Sequence, residues 1–295
     1  MNSAQQTITR TVRRPQASDP FPSLPLHLAS VLAAVTIVTC SANLLVPDLL
    51  SGTSVMNGSA KGTSLVALLV AVPLLVLSVQ RAWSGSARAL AVTAGVAAYL
   101  VYNSVLFVFA TPFNQAFLAY VAMLGLAVAS LVGLGFTLWS RVDELVSDVP
   151  WWVPTYAWLV VLLNGAAWLA RVIPATYDED PTGWLAGTGL PTNPVIAQDL
   201  ALWLPAMAWL GWGVWKGRAP AATLASAGLV FWVVEAVGVA VDQWWGHHAD
   251  PMSSWASSGA VPMFLVLAVV GLLPAVRLLK AVPGRTLPLA PGPRK

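Results

Sequence analysis

An all-α, multi-pass transmembrane helix bundle is the fold class this chain predicts, and three observations predict it. Hydrophobic residues make up 57% of its 295 residues and charged residues only 9%, where a soluble domain carries roughly a quarter charged side chains. The apolar residues gather into eight runs of about 20 residues, the length a helix needs to cross a hydrocarbon core of about 30 Å. Each run is apolar on all sides, whereas the strands of a membrane barrel alternate over about ten residues, so the backbone must satisfy itself within helices.

The first span, 24–46, follows Arg10, Arg13 and Arg14. Its length and the lack of a small-x-small exit make it an uncleaved helix rather than a signal peptide. The second, 63–80, carries Pro73 at its middle and ends at Arg81. The third and fourth, 89–110 and 113–139, are separated only by the turn at Thr111-Pro112 and form a tight hairpin. The fifth, 152–173, opens on Trp152 and holds Arg171 near its end; the sixth, 195–215, carries Pro205 and ends at Lys216 and Arg218. Glu235 lies inside the seventh, 221–241, and the eighth, 260–279, runs into Lys280. Residues 1–23 and 281–295, basic and rich in proline, read as disordered cytoplasmic tails around one transmembrane domain, 24–280.

Charge sets the expected orientation. With the N-terminus in the cytoplasm, 13 of the 15 Lys and Arg residues fall on the cytoplasmic side and only Lys61 and Arg171 on the other. The positive-inside bias therefore places both termini in the cytoplasm of a plasma (inner) membrane. Because these cations flank apolar runs, the sequence pI of about 9.2 does not point to nucleic acid, which is excluded as a partner. The expected partners are the lipid bilayer and a small solute or lipid; oligomeric state is left open. Cys40 is the only cysteine, so no intrachain disulfide, zinc cluster or CxxC pair exists.

An internal repeat is also expected. The second and sixth spans each carry a mid-span proline and end at a basic loop, and the first and fifth each end at an apolar-Pro step, Val46-Pro47 and Ile173-Pro174. Two tandem four-helix halves follow; four being even, they are parallel rather than inverted repeats. The fifteen tryptophans mostly flank the spans, where indole anchors a helix at the interface. Trp244 and Trp245 are the pair best placed for an aromatic cage around a cationic ligand.

Ionisable groups within spans mark candidate sites, since each costs several kcal/mol in hydrocarbon and turns to the protein interior. Glu235 and Asp242 are seven residues apart, close to two turns, and share a face of the seventh span. Asn164 and Arg171 repeat that spacing on the fifth. A polar ladder between the fifth and seventh spans is therefore expected, Arg171 neutralising Asp242 or Glu235 and Asn164 bonding Glu235. Tyr99 and Asn103 share a face of the third span and are candidate cavity-lining residues, as are Trp244 and Trp245. Metal is expected to be absent, with His247, His248 and Asp250 the weak candidates for ligands. No HExxH, GxSxG or Walker loop occurs, and no cofactor is expected.

The stretch Tyr102-Asn103-Ser104-Val105-Leu106-Phe107-Val108-Phe109-Ala110-Thr111-Pro112-Phe113-Asn114, with Phe117 to Tyr120 and the upstream Asn57-Gly58-Ser59-Ala60-Lys61-Gly62-Thr63, resembles polytopic membrane proteins of actinobacteria to which no function is assigned. The resemblance covers about the first half of the chain and transfers no site residue. Three functions fit the sequence: transport of a small solute or of protons coupled to one, which Glu235 and the mid-span prolines favour; a membrane enzyme acting on a lipid-linked substrate at the outer face; and a structural or sensory component with no catalytic site.

Overall fold

In a computed structural model of the chain, which describes residues 23–284, every regular element is helical. The α-helical segments are α1 (Ser23–Leu45), α2 (Ser54–Val66), α3 (Val72–Trp83), α4 (Ala87–Phe109), α5 (Phe117–Arg141), α6 (Trp152–Thr176), α7 (Pro194–Gln198), α8 (Leu204–Trp215), α9 (Ala219–Ala249) and α10 (Ala260–Ala281). Five-residue π-helical turns, Ala67–Ala71 and Asp199–Trp203, join α2 to α3 and α7 to α8, so each pair runs as one interrupted helix. The eight expected spans are thus α1, α2–α3, α4, α5, α6, α7–α8, α9 and α10. Among the described residues seven helices are long and apolar enough to cross a membrane. The eighth, residues 194–215, is of spanning length but diluted by Gln198, Asp199 and four tryptophans. The class this fold defines is a polytopic helical membrane protein. The expected tails lie outside the described residues, apart from Ser23 in α1 and the last residues up to Gly284.

Both π turns have the same cause. Pro73 has no N–H to give the carbonyl of Leu69, and its ring crowds that carbonyl; Pro205 does the same to Ala201. In each case the helix widens by one residue just before the proline, which is how a π-bulge absorbs such a clash.

Two boundaries differ from the expectation. Helix α2 begins at Ser54 rather than near 63, because its polar first turns are held against α9, and Lys61 accordingly sits in a helix rather than a loop. Helix α9 continues to Ala249, so Asp242, Trp244, Trp245, His247 and His248 are helical too.

The core forms around α4 and α9. Helix α9 packs along α2, α4, α8 and α10, and α4 packs along α3, α5 and α9. Lipid offers no hydrophobic drive for helix pairing, so close approach through small residues replaces it. Gly58 and Gly62 of α2, four apart, do this against α9. A Cβ on Gly62 would stand 2.7 Å from Asp242 Cα, and one on Gly58 would stand 2.6 Å from the Trp245 carbonyl oxygen. Gly95 of α4 meets the Ala227 carbonyl oxygen of α9 in the same way, at 2.5 Å.

One packing order runs through both halves. Helix α1 packs on α2 and α3, α3 on α4, α4 on α5, and α5 back on α1; α6 packs on α8, α8 on α9, and α9 on α10. The closing contact of the second half, α10 on α6, is slight. The ring of His27 meets Trp83 at 4.9 Å, Arg88 donates to the carbonyls of Lys280 and Val282 at the end of α10, and the Val146 amide donates to Ala281. These contacts bring the start of α1, the end of α3, the start of α4, the loop before α6 and the end of α10 to one face of the bundle, the terminal face. Arg88 there satisfies carbonyls that α10 leaves open, with its charge at the favourable end of the helix dipole.

Gly62→Ala is expected to cost about 1–3 kcal/mol through overpacking against backbone that cannot yield, lowering the thermal transition of the detergent-solubilised protein. Gly125→Ala, where the added methyl meets nothing within 4 Å, leaves the transition unchanged or raises it.

Candidate functional site

Glu235 and Asp242 share a face of α9, about 10 Å apart by helical rise. That face is turned to α4 and α2. Asn103 of α4 donates to Glu235 Oε2 at 2.9 Å, and the same amide group donates to the Tyr99 carbonyl at 3.0 Å. The Tyr99 ring lies against Gly238, midway between the two acids, and its hydroxyl is buried without a hydrogen-bond partner. At Asp242 the carboxylate accepts from Gln243 Nε2 at 3.1 Å. Gln243 also holds the following loop, donating weakly to the Trp255 carbonyl and accepting from the Ser257 amide.

A third carboxylate joins them. Asp199 opens the π turn between α7 and α8 and is buried; Trp168 of α6 donates its indole N–H to Asp199 Oδ2 at 2.8 Å. The Tyr102 hydroxyl approaches the same carboxylate, one turn along α4 from Tyr99. Gln198 donates to the Tyr102 carbonyl and accepts from Trp203, whose ring packs on Phe231 with centroids 4.7 Å apart. Tyr102 closes this aromatic group, 5.6 Å from Phe231 and 6.2 Å from Trp203. Asp199, Glu235 and Asp242 lie within electrostatic range of Tyr102. Among the described residues no Lys, Arg or His pairs with any of the three. A carboxylate without a cation is costly at this depth, so neutrality must come from a proton or from a bound cation.

The expected ladder between the fifth and seventh spans does not form in that shape. Helix α6 packs on α8 and lightly on α10, not along α9. Asn103 takes the place expected for Asn164, which is half-buried on α6. Arg171 is exposed, in a surface cavity of about 460 Å³ that it lines with Asp178, Asp180 and Trp184. A guanidinium at the end of a span reaches water by snorkelling instead of crossing the bundle. In that loop the hydroxyl of Thr182, together with the amides of Thr182 and Gly183, holds the Asp180 carboxyl below the usual range.

The remaining candidates are placed as follows. Tyr99 and Asn103 do share a face, directed at α9. Trp244 and Trp245 stand edge to face at 5.8 Å, with the exposed Trp244 ring on His248 at 4.0 Å, so they do not face one another across a gap. His247 and His248 are 6.0 Å apart on the last turn of α9, and among the described residues no group of three or more His, Cys, Asp or Glu is placed to hold a metal. Asp250 caps the turn beyond, accepting from the Met252 amide.

Asp199, Trp168 and Gln198 are the site residues that sequence reasoning missed. Asp199 reads as an outer-boundary acid when the sixth span is drawn from 195. The signal was its position six residues before Pro205, where a widened turn brings it inside. Trp203, which reads as an interfacial anchor, is in the aromatic group for the same reason.

No protein-family model matches this chain, and neither curated proteins nor solved structures show a match. The functional reading therefore rests on the site's geometry.

Removing either partner of the Asn103–Glu235 hydrogen bond leaves a buried polar group unsatisfied. A double-mutant cycle between Asn103→Ala and Glu235→Ala is expected to give a coupling of about 1–3 kcal/mol in chemical unfolding. Pairing Arg171→Ala with Glu235→Ala gives effects that add.

Proposed function

We propose that the protein is a carrier of the plasma (inner) membrane, with both termini in the cytoplasm, that couples movement of a small solute to protons at the acid group between α4, α7–α8 and α9. The observation that carries this reading is Glu235: a carboxyl group inside a membrane-spanning helix, held by Asn103 and flanked by Asp199 and Asp242, with no cationic side chain among the described residues to neutralise it. A structural ion pair would need such a partner; a group that exchanges a proton for a solute must lack one. Discontinuous helices support the same reading. The turn that carries Asp199 is one of the two π-helical breaks, and broken helices at mid-membrane are where transporters build ligand sites. The orientation is supported by the 13-to-2 distribution of Lys and Arg.

The test is reconstitution into vesicles that enclose a pH-sensitive dye, with an imposed pH gradient and successive pools of amino acids, sugars, amines and inorganic cations. At least one pool is expected to speed collapse of the gradient, and Glu235→Gln, which keeps an acceptor for Asn103, slows it at least tenfold. Equal rates for the native protein, Glu235→Gln and empty vesicles with every pool refute the reading.

A further inference from the structure

The two halves share one packing order but differ at the pair of helices that closes each. In the first half α1 buries residues from Pro25 to Asn43 and α5 from Tyr120 to Leu138, so this pair seals along its length. In the second half α6 buries only Val153, Pro154 and Ala157, all in its first two turns, and the buried residues of α10 begin at Ala268. The two helices meet near the terminal face, where the Tyr156 hydroxyl and Val233 lie against Gly271. Beyond that contact neither is held by the other. Toward the opposite face α6 buries no residue and α10 none before Ala268, which leaves the side between them unsealed and, in a membrane, facing lipid.

Behind that side, Trp168 of α6 holds Asp199 of the acid group. On α9, Trp232, Glu235, Ala236, Val239 and Gln243 all keep accessible surface although the helix runs through the core of the bundle. By the 100° step of an α-helix Trp232, Ala236, Val239 and Gln243 fall on one sector of α9, and Glu235 stands at its edge, toward Asp242 and the Asn103 amide of α4. Across from them, α6 contributes Asn164 and Trp168, and Trp168 holds Asp199. Tyr99 adds an independent sign of a ligand. Its hydroxyl is wholly buried, has no hydrogen-bond partner and lies within electrostatic range of Glu235 and Asp242. An orphaned donor at such a depth is rare.

Resting on the transport reading above, we infer that the solute is a lipophilic organic cation, which enters sideways from the bilayer between α6 and α10 and places its charge between Glu235 and Asp199 and its apolar body against Trp168, Trp203 and Trp232. Each part of the site selects for one part of such a ligand. Carboxyl groups that lack a cationic partner take up a positive charge in place of a proton. A small hydrated inorganic ion gains nothing from a lipid-side opening lined by indole rings, whereas a cation spread over an apolar body partitions into the bilayer and is stabilised on ring faces. Neutral amphiphiles use the same side but displace no proton. Binding balances as an exchange: the carboxylic acid of Glu235 releases its proton to water as the cation arrives, so charge in the site is unchanged. Among the described residues the charged and titratable groups facing Glu235 are Asp199, Asp242, Tyr99 and Tyr102, none of them cationic.

Tetraphenylphosphonium is the probe, titrated calorimetrically into the detergent-solubilised full chain in two buffers of different ionisation enthalpy. Saturable binding with release of about one proton is expected, weakened at least tenfold by Glu235→Gln and by Trp168→Ala. Asp199→Asn serves in place of Glu235→Gln if the latter shifts the thermal transition. Binding that is equal in the native protein and the acid variants overturns the inference. So does a native protein that binds no tetraphenylphosphonium yet shows Glu235-dependent proton flux with another solute pool, a result that leaves the transport reading standing. Absence of both binding and flux overturns the two together.

Discussion

The close contact of α9 with α2 and α4 is the constraint on which the rest of this molecule depends. Gly58, Gly62 and Gly95 bring three backbones to distances at which no side chain fits between them. In lipid, where apolar side chains gain nothing by leaving one neighbour for another, such contacts supply the dispersion energy that pairing requires. They also fix what lies beside them. Gly62 abuts the backbone of Asp242, and Tyr99 fills the notch at Gly238, so the acids of α9 are presented to α4 and α2 as a consequence of how those helices meet.

Much of the fold was legible because the bilayer leaves few choices. Length and all-round apolarity identify a spanning helix almost without reference to partners, and the eight runs reappear as eight helical stretches, seven of them, among the described residues, long and apolar enough to cross a membrane. Lys61 and Asp242 show where that reasoning stops. A polar stretch such as 54–61 joins a helix when another helix accepts it, and hydropathy carries no record of the acceptor. The Gly58–Gly62 spacing did carry one, as a small-xxx-small pair, although it lies ahead of the apolar run rather than within it.

At the site, spacing along one helix was readable and the partner helix was not. Glu235 and Asp242 share a face because seven residues make nearly two turns, and Tyr99 and Asn103 share one because four make nearly one. Which helix stands opposite is decided by tertiary packing. Matching Asn164 and Arg171 to the acids by equal spacing assumed that the fifth span neighbours the seventh; instead α6 stands behind α8. Arg171 is also long enough to reach water, so its position near a span end did not require an acid inside the bundle. Asp199 was hidden by a different effect, a proline six residues away that changes the local turn.

The two interrupted helices show how a repeated scaffold becomes asymmetric. Pro73 and Pro205 widen the backbone at matching places, and a π turn rotates the residues before it relative to a regular helix. In the first half the turn opens on Ala67, buried among apolar neighbours, and the helices around it close completely. In the second it opens on Asp199, and the pair that would close the half, α6 and α10, is separated over most of its length. A carboxylate at that position needs something to answer its charge, and a sealed bundle gives nothing access to it. The acid and the slight contact of α6 with α10 therefore belong to one arrangement: α2 and α4 of the first half hold α9, and the second half carries the three carboxyl groups.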